Sequence, residues 1–423
     1  MNYCRRCLYT TNHPLNLIID ENGLCSGCKV HEEKDILDWT DRKEKLRKIC
    51  DSYRNMSGTN YDCIVPVSGA SDSYFIVHTV KYELGLNPLL VTYNKHYNTD
   101  LGYRNLANLR IVFDCDIMSL SVDPAKLKKI TRATLRRFGS MYWHCIAGQT
   151  VFPVQTAVRQ KIPLIIWGAH QGVDQVGMYS HLDEVEMTRK FRKEHDLMGF
   201  EAEDLLDDEF DNIQENDITP FCYPDDKEIE NVGVRGIYLN NYIRWDSKSQ
   251  HERMIALYGY ETNLQNRTFD NYMNVDCFNY SDIHDYIKWI KHGYGKATDH
   301  VSREIRLKRM TRDEGIKLVE EYQLKKPKNL QLFLDWLGIT ENAFWYVINQ
   351  HRNPLFWYRD LEWEWQPISM TNIVAEAASD ENLRLTSEYD AAYILTENGR
   401  PDYDDSKYII IAKGHYKPLS NID

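Results

Sequence analysis

The sequence has no apolar run long enough to span a bilayer, and its first residues, Met1-Asn2-Tyr3-Cys4-Arg5-Arg6-Cys7, lack the apolar core of a secretory signal. A cytoplasmic protein with no membrane partner is expected. Positive charge is also short, with 51 Lys and Arg against 63 Asp and Glu and a formal net charge of −12. Bulk nucleic-acid binding needs the opposite balance and is not expected. Internal repeats and low-complexity segments are missing too. The ten cysteines do not form a disulfide framework: four fall in two C-x-x-C pairs, while Cys50, Cys63, Cys115, Cys145, Cys222 and Cys277 are scattered. A chain of 423 residues is too long for one ordinary core, so two or three folding units are expected.

The two pairs, Cys4-x-x-Cys7 and Cys25-x-x-Cys28, flank a segment holding Pro14 and Gly23. Two tight turns there present four thiolates to one tetrahedral Zn²⁺. An iron–sulfur or redox site would be the alternative, but no separate reactive cysteine or flavin signature accompanies the pairs. A closed structural zinc site over residues 1–35 is therefore expected, ordering the amino terminus or covering part of a neighbouring site.

Residues 36–60 read as a helical connector. An α/β pattern follows over 61–205. Buried strands are expected at Cys63–Val67, Leu89–Tyr93, Asp116–Leu120 and Leu164–Trp167, with helices at Asp72–Leu84, Leu101–Ile111, Pro124–Phe138 and Thr150–Lys161. Continuous apolar strands separated by helices imply a parallel sheet covered on both faces. From about 206 to 365 the chain is first acidic, then rich in Tyr and Trp and mainly helical, with Thr311-x-x-Glu314 forming a capping box. The tail, 366–423, turns β-like: Ala391–Leu395 and Tyr408–Ala412 flank an Asn398-Gly399 turn.

Ligands of parallel sheets sit beyond the carboxyl ends of the strands. Three candidate loops lie there. Ser68-Gly69-Ala70-Ser71-Asp72-Ser73, between a strand and a helix start, aims backbone N–H groups at one anion; Ser68 and Ser73 add hydroxyls and Asp72 is placed for Mg²⁺. Thr92, Tyr93 and Asn94 close the second strand and offer backbone edges to a purine. Gly168-Ala169-His170-Gln171-Gly172-Val173-Asp174-Gln175 follows the fourth. A plain connector would explain each loop taken alone.

Together these residues resemble a known family. Ser68-Gly69-Ala70-Ser71-Asp72-Ser73 is similar to the SGGxDS loop of the PP-loop ATP pyrophosphatases, a HUP-like fold. More narrowly, Cys4 to about Trp363 resembles the N-acetyl sugar amidotransferases of bacterial surface-glycan pathways, including those acting on pseudaminic acid. The carrying segments are the cysteine pairs, Tyr61–Gly69, Asn87–Asn94, Met141–His144, Phe152–Gln155, Ile162–Gly168, Val234–Leu239 and Gly293–His300. The resemblance implies conversion of an acetamido group to an acetamidino group. ATP adenylates the amide oxygen, and ammonia from a separate glutaminase with a synthase-like partner displaces AMP. It further implies ATP held by Ser68, Gly69, Ala70, Ser71, Asp72, Ser73, Thr92, Tyr93, Asn94 and Gly168, and catalytic roles for Asp72, His170 and Asp174. Sugar binding would fall to Arg235, Tyr238, Trp245, Asp299, His300 and Arg306. Cofactors would be ATP, Mg²⁺ and Zn²⁺.

One departure bears on activity. Ala70 and Ser71 stand where the family loop has Gly and commonly Lys. If position 70 needs positive φ, the methyl is costly; if φ is negative, it is harmless. Three readings follow from this: an active amidotransferase, a degenerate nucleotide-binding scaffold for a glutaminase complex, or a PP-loop enzyme acting on tRNA.

Overall fold

The computed structural model describes residues 3–15, 17–58, 60–70, 72–206 and 210–368. Ser71 and the expected tail strands at 391–395 and 408–412 lie outside them. Helices α1 (Ser26–Ile36) and α2 (Trp39–Tyr53) precede a sheet of five parallel strands: β1 (Cys63–Pro66), β2 (Pro88–Tyr93), β3 (Ile117–Leu120), β4 (Leu164–Trp167) and β5 (Arg235–Tyr238). Their order is β3-β2-β1-β4-β5, with Ile64 aligned to Leu89 on one side and to Ile165 on the other. The order reverses between β1 and β4. That is where a crevice opens beyond the carboxyl ends of the strands.

Side chains of β1, β2 and β4 alternate between two buried faces, which is why these strands read as continuous apolar runs; β3, expected as a buried strand, is instead an edge strand with Met118 and Ser119 exposed. Cys63, Val65, Leu90, Leu164 and Ile166 pack under α3 (Ser73–His78) and α4 (Asp100–Val112), among Val77, Val80, Leu109 and Phe113. Ile64, Leu89, Val91 and Ile165 meet Val151, Phe152, Val154 and Ala157 on the opposite face. Those four belong to α6 (Trp143–Gln160), which follows α5 (Pro124–Phe138). α5 starts at Pro124 behind Asp123, whose carboxylate accepts from the Ala125 N–H, and stops at Gly139 with φ +60°.

Three further elements differ from the sequence expectation. α6 begins seven residues before Thr150, because Gly148 lies where a Cβ would run into the Tyr93 ring; packing on β2 overrides its helix-breaking tendency. β5 was not expected as a strand; its Gly236 leaves room for Met187. Finally, α3 widens into a π-type turn over Thr79–Glu83.

The carboxyl-terminal half is helical: Phe278–His292, Lys296–Arg306, Arg312–Gln323, Leu330–Leu337 and Glu341–Gln350. Thr311 and Glu314 form the expected capping box. An antiparallel pair, β6 (Trp357–Arg359) and β7 (Trp365–Pro367), closes the described chain. Phe333, Phe344, Trp289 and Trp357 fill the helical core. This half also reaches the sheet directly. Lys95, just beyond β2, pairs with Asp276 at 2.5 Å with both side chains buried, and the Thr99 hydroxyl donates to the Val275 carbonyl at 2.6 Å.

Candidate functional site

At the amino terminus Cys4, Cys7, Cys25 and Cys28 come together, fully buried, with all four Sγ atoms within 4.8 Å of one another. The local fold explains why. The Cys4 N–H donates to the Tyr9 carbonyl at 2.8 Å, turning the first knuckle, and Gly23 turns the second at φ +83°. Cys25 then caps α1, accepting from the Cys28 N–H at 3.4 Å. Two of the S···S separations are 3.5 and 3.9 Å. A tetrahedron with metal–sulfur bonds of about 2.3 Å has sulfur edges of about 3.8 Å, so the donor set fits zinc and leaves no open position.

The phosphate loop leaves β1 still extended, with the Val67 N–H donating to the Val91 carbonyl at 2.9 Å. Its serines knit the turn. Ser73 Oγ accepts from the Ser68 N–H at 2.9 Å and donates to the Ala70 carbonyl at 3.0 Å, while Ser68 Oγ accepts from the Ala70 N–H at 3.3 Å. Ala70 is buried and is not among the described residues with positive φ, so the methyl imposes no backbone strain. Asp72 precedes α3 without capping it, and its Oδ1 is buried with no hydrogen-bond partner. Burial pushes this carboxyl upward, helped by the nearby Asp174. A buried carboxylate oxygen with no donor fits a bound cation such as Mg²⁺.

Two clefts open beside this loop. One, of about 60 Å³, is lined by Ser68, Gly69, Thr92, Tyr93, Asn94 and Lys95, with Gly102 and Asp276 among the residues opposite. The other, of about 160 Å³, is lined from the β4 side by Gln171, Asp174 and Gln175. Trp245, Lys296, Asp299, His300, Arg303 and Arg306 face them, with His31 and Lys34 of α1 at the edge. Gly168 stands between the loop and this second cleft: a Cβ there would lie 3.4 Å from both Asp72 Oδ2 and Trp245 Cη2.

The structure thus brings Asp174, Trp245, Asp299, His300 and Arg306 to one cleft and Ser68, Gly69, Thr92, Tyr93 and Asn94 to the other. Most of these side chains are already engaged. Asp174 pairs with Lys34, which also donates to the Trp245 carbonyl at 3.2 Å. Asp299 accepts from the Tyr9 hydroxyl at 2.7 Å and from Lys288 at 2.5 Å. His300 Nδ1 meets the Thr268 hydroxyl at 2.7 Å, and burial pulls the imidazole down to about 4.

Three expected site residues lie elsewhere. Arg235 opens β5, at the amino end of the sheet, and holds Glu186 at 2.7 Å. Tyr238 packs edge-on against His170 at 4.8 Å, and His170 in turn lies 4.8 Å from the His195 ring. That enclosure pulls His170 down to about 3. Neither side chain lines the cleft.

Lys34, Lys296 and Arg303 are cleft residues that the sequence reading missed. Lys34 had a signal: Cys28, His31 and Lys34 recur every three residues on α1, so the helix that supplies a thiolate also carries a cation into the cleft. Arg303 binds Asp270 at 2.9 Å and the Tyr272 hydroxyl at 2.8 Å, and no local pattern announces it.

Comparison with known proteins adds one assignment. Residues 266–370 match the family described as LPS biosynthesis protein WbpG-like, C-terminal domain. No curated protein sequence matches the chain. The solved structure of NMN synthetase from Francisella tularensis is similar at 13% identity over 54% of this chain and 98% of its own, with a TM-score of 0.24, too loose a superposition to add to the sheet order above. Asn274, Lys296, Asp299, His300, Arg303 and Arg306 all fall inside the matched segment. The segment 266–370, which supplies these residues to the wall of the second cleft, is therefore similar to the C-terminal domain of the WbpG-like lipopolysaccharide biosynthesis proteins.

Proposed function

We propose that the protein is an ATP-dependent amidotransferase that converts the acetamido group of an N-acetylated sugar, of the nonulosonic-acid type, to an acetamidino group in surface-glycan synthesis. One observation carries this reading. The cleft walled by the loop after β4 and by residues of the segment that matches a lipopolysaccharide-biosynthesis family adjoins the phosphate loop across Gly168, which faces Asp72 on one side and Trp245 on the other. An ATP site and a sugar site would meet there.

An amide carbon resists ammonia because its oxygen leaves poorly. In the proposed reaction the acetamido oxygen attacks the α-phosphorus of ATP, the α–β bridging bond breaks, and pyrophosphate departs with its electron pair. Ammonia then adds to the carbon of the O-adenylyl imidate. The C–O bond breaks with its electrons going to AMP, and loss of a proton from nitrogen leaves the amidine. The enzyme's task is positioning and charge stabilisation, with no covalent intermediate on the protein.

The Gly69, Asp72 and Ser73 N–H groups would face the departing pyrophosphate, with Thr92, Tyr93 and Asn94 toward the base. Asp72 would hold Mg²⁺, whose contribution is to neutralise phosphate charge. The Trp245 ring would offer the sugar a flat apolar surface, with Asp299 and His300 as its polar contacts. Gly168 would leave the opening between the two halves free of side chain. Ammonia would come from a separate glutaminase and its synthase-like partner, in the cytoplasm. The negative φ at Ala70 supports an active loop over a degenerate one.

The test is AMP release by the purified protein with Mg²⁺-ATP, ammonium chloride and an N-acetylated nonulosonic acid, free or nucleotide-activated. Sugar-dependent AMP is expected. AMP that depends on tRNA instead, or ATP binding with no turnover on any of these, would replace the reading with tRNA modification or with a scaffold.

A further inference from the structure

One side chain belongs to the cysteine cluster and to the cleft at once. Arg306 ends the helix Lys296–Arg306 and is buried. Its Nε lies 3.4 Å from Cys28 Sγ, and its Nη2 lies 3.7 Å from Cys25 Sγ and 3.9 Å from Cys7 Sγ. Nη1 donates to the Gln175 carbonyl at 2.6 Å. The knuckle leaves a place for this cation: a Cβ on Gly27, between the two cysteines of α1, would overlap Nη2.

The same guanidinium sits 5.3 Å over the Tyr9 ring. The Tyr9 hydroxyl accepts from Gln175 Nε2 at 2.8 Å and donates to Asp299 at 2.7 Å. Gln175, Asp299 and Arg306 all line the cleft. A continuous set of contacts therefore runs from three thiolates through Arg306 and Tyr9 to the cleft wall.

Charge gives this set a direction. Four thiolates around a divalent ion carry two net negative charges in a buried site. Arg306 offsets one of them, and its anionic hydrogen-bond partners are sulfurs, with no carboxylate among them. If the metal left, the sulfurs would no longer be held in one arrangement, and Arg306, in contact with three of them, would lose its fixed seat. Coupling of this kind is reciprocal. The phosphate loop stands apart from it, held by Ser68, Ser73 and Gly102, none of which touches the knuckle in these contacts.

We propose that Arg306 is a positioning residue that ties the metal state of the knuckle to the geometry of the cleft. When the cluster is loaded, Arg306 is fixed, and with it the wall formed by Gln175 and Asp299. When the cluster is empty, that wall loosens while the phosphate loop does not. This departs from the expectation that Arg306 clamps the sugar.

Zinc transfer from the full-length, zinc-loaded protein to a chelating dye tests the first half. Arg306→Met is expected to release zinc about tenfold faster or more, with Arg306→Lys in between. In the Co²⁺-substituted protein, the thiolate-to-cobalt charge-transfer band should move to longer wavelength when the guanidinium is removed. Hydrogen exchange tests the second half. Stripping zinc should speed exchange in residues 172–177 and 296–306 and leave 63–78 unchanged, and zinc-loaded Arg306→Met should reproduce that pattern. Wild-type release rates, an unmoved cobalt band and unchanged exchange in the variant would overturn the proposal and return Arg306 to direct substrate contact. If Arg306→Met does not fold, Arg306→Lys decides alone, because it keeps the charge and loses the fork.

Discussion

Gly69 packs against Gly102 with no room for a side chain between them: a Cβ on Gly69 would overlap the Gly102 carbonyl oxygen, and a Cβ on Gly102 would stand 2.5 Å from Asp276 Cα. Neither glycine has positive φ, so the requirement is space rather than backbone freedom. Three segments far apart in sequence thereby meet at the phosphate loop, and the third, at Asp276, lies in the segment similar to a lipopolysaccharide-biosynthesis family. Gly69→Ala must push the loop away from α4. Calorimetric titration with Mg²⁺-ATP should show affinity reduced about tenfold or more, the equivalent of about 1.4 kcal/mol. Affinity equal to wild type would mean that nucleotide does not use this loop.

Ala70 is the converse case. Its φ is compatible with any residue, so glycine there would only enlarge the freedom of the unfolded chain. Ala70→Gly should cost about 0.4–1 kcal/mol in urea unfolding and should not raise AMP formation. A gain in turnover would reopen the reading of a loop disabled by its methyl.

The legibility of this molecule follows the range of its interactions. The cysteine cluster was readable because each C-x-x-C pair is a local turn. β1, β2 and β4 were readable because both of their faces are buried, which makes them continuously apolar, whereas β3 lies where the sequence puts it without the burial expected of it. β5 was not: four residues including Gly236 carry little pattern, and the strand exists because β4 offers it an edge. The first turns of α6, ahead of the expected start at Thr150, were not legible because they include Gly148, a poor helix former whose place is set by contact with Tyr93. The cleft was half readable. Asp299 and His300 came from a segment, Gly293–His300, that resembles a family, but the pairing of Lys34 with Asp174 spans 140 positions and leaves no mark in either segment.

That pair makes a stability prediction. Lys34 is almost fully buried, with 2% of its side chain exposed, and Asp174 has 13%. Removing one partner strands the other charge, so Lys34→Met should lower unfolding free energy by about 3 kcal/mol. The double variant Lys34→Met/Asp174→Leu should recover most of that loss, because the cost lies in the unpaired charge. A double variant no more stable than the single one would mean that packing around Lys34 carries the effect.

Acid should destabilise the fold through its buried histidines. Burial lowers His144 and His170 from 6.5 to about 3, and His300 to about 4. Below pH 6.5 the unfolded chain takes up protons that the folded chain refuses, so their stabilisation is full above 6.5 and is lost as pH falls toward 3. Each contributes a slope of up to about 1.4 kcal/mol per pH unit. Glu33 opposes them: burial raises it from 4.5 to about 7, so it favours the fold as pH falls from 7 to 4.5. Three groups outweigh one, and the thermal midpoint should drop between pH 6.5 and pH 5. A flat or rising midpoint would show these rings to be solvated.

Asp72 should trade stability for function. Its Oδ1 is buried without a donor and its carboxyl is pushed up by desolvation, so the free protein bears an unfavourable charge at neutral pH. Asp72→Asn keeps the shape and removes the charge. It should stabilise the protein near pH 7. A carboxyl raised in the fold regains its stability as pH falls through the folded value, so the difference should fade toward the unfolded value of 3.8. Mg²⁺ should erase the advantage in wild type, because a cation supplies the missing partner and cannot do so for Asn. Thermal unfolding of both proteins with and without Mg²⁺-ATP checks this: a wild-type shift that the variant lacks, together with lost AMP formation, is the expected pair of results. Equal shifts would place the cation elsewhere.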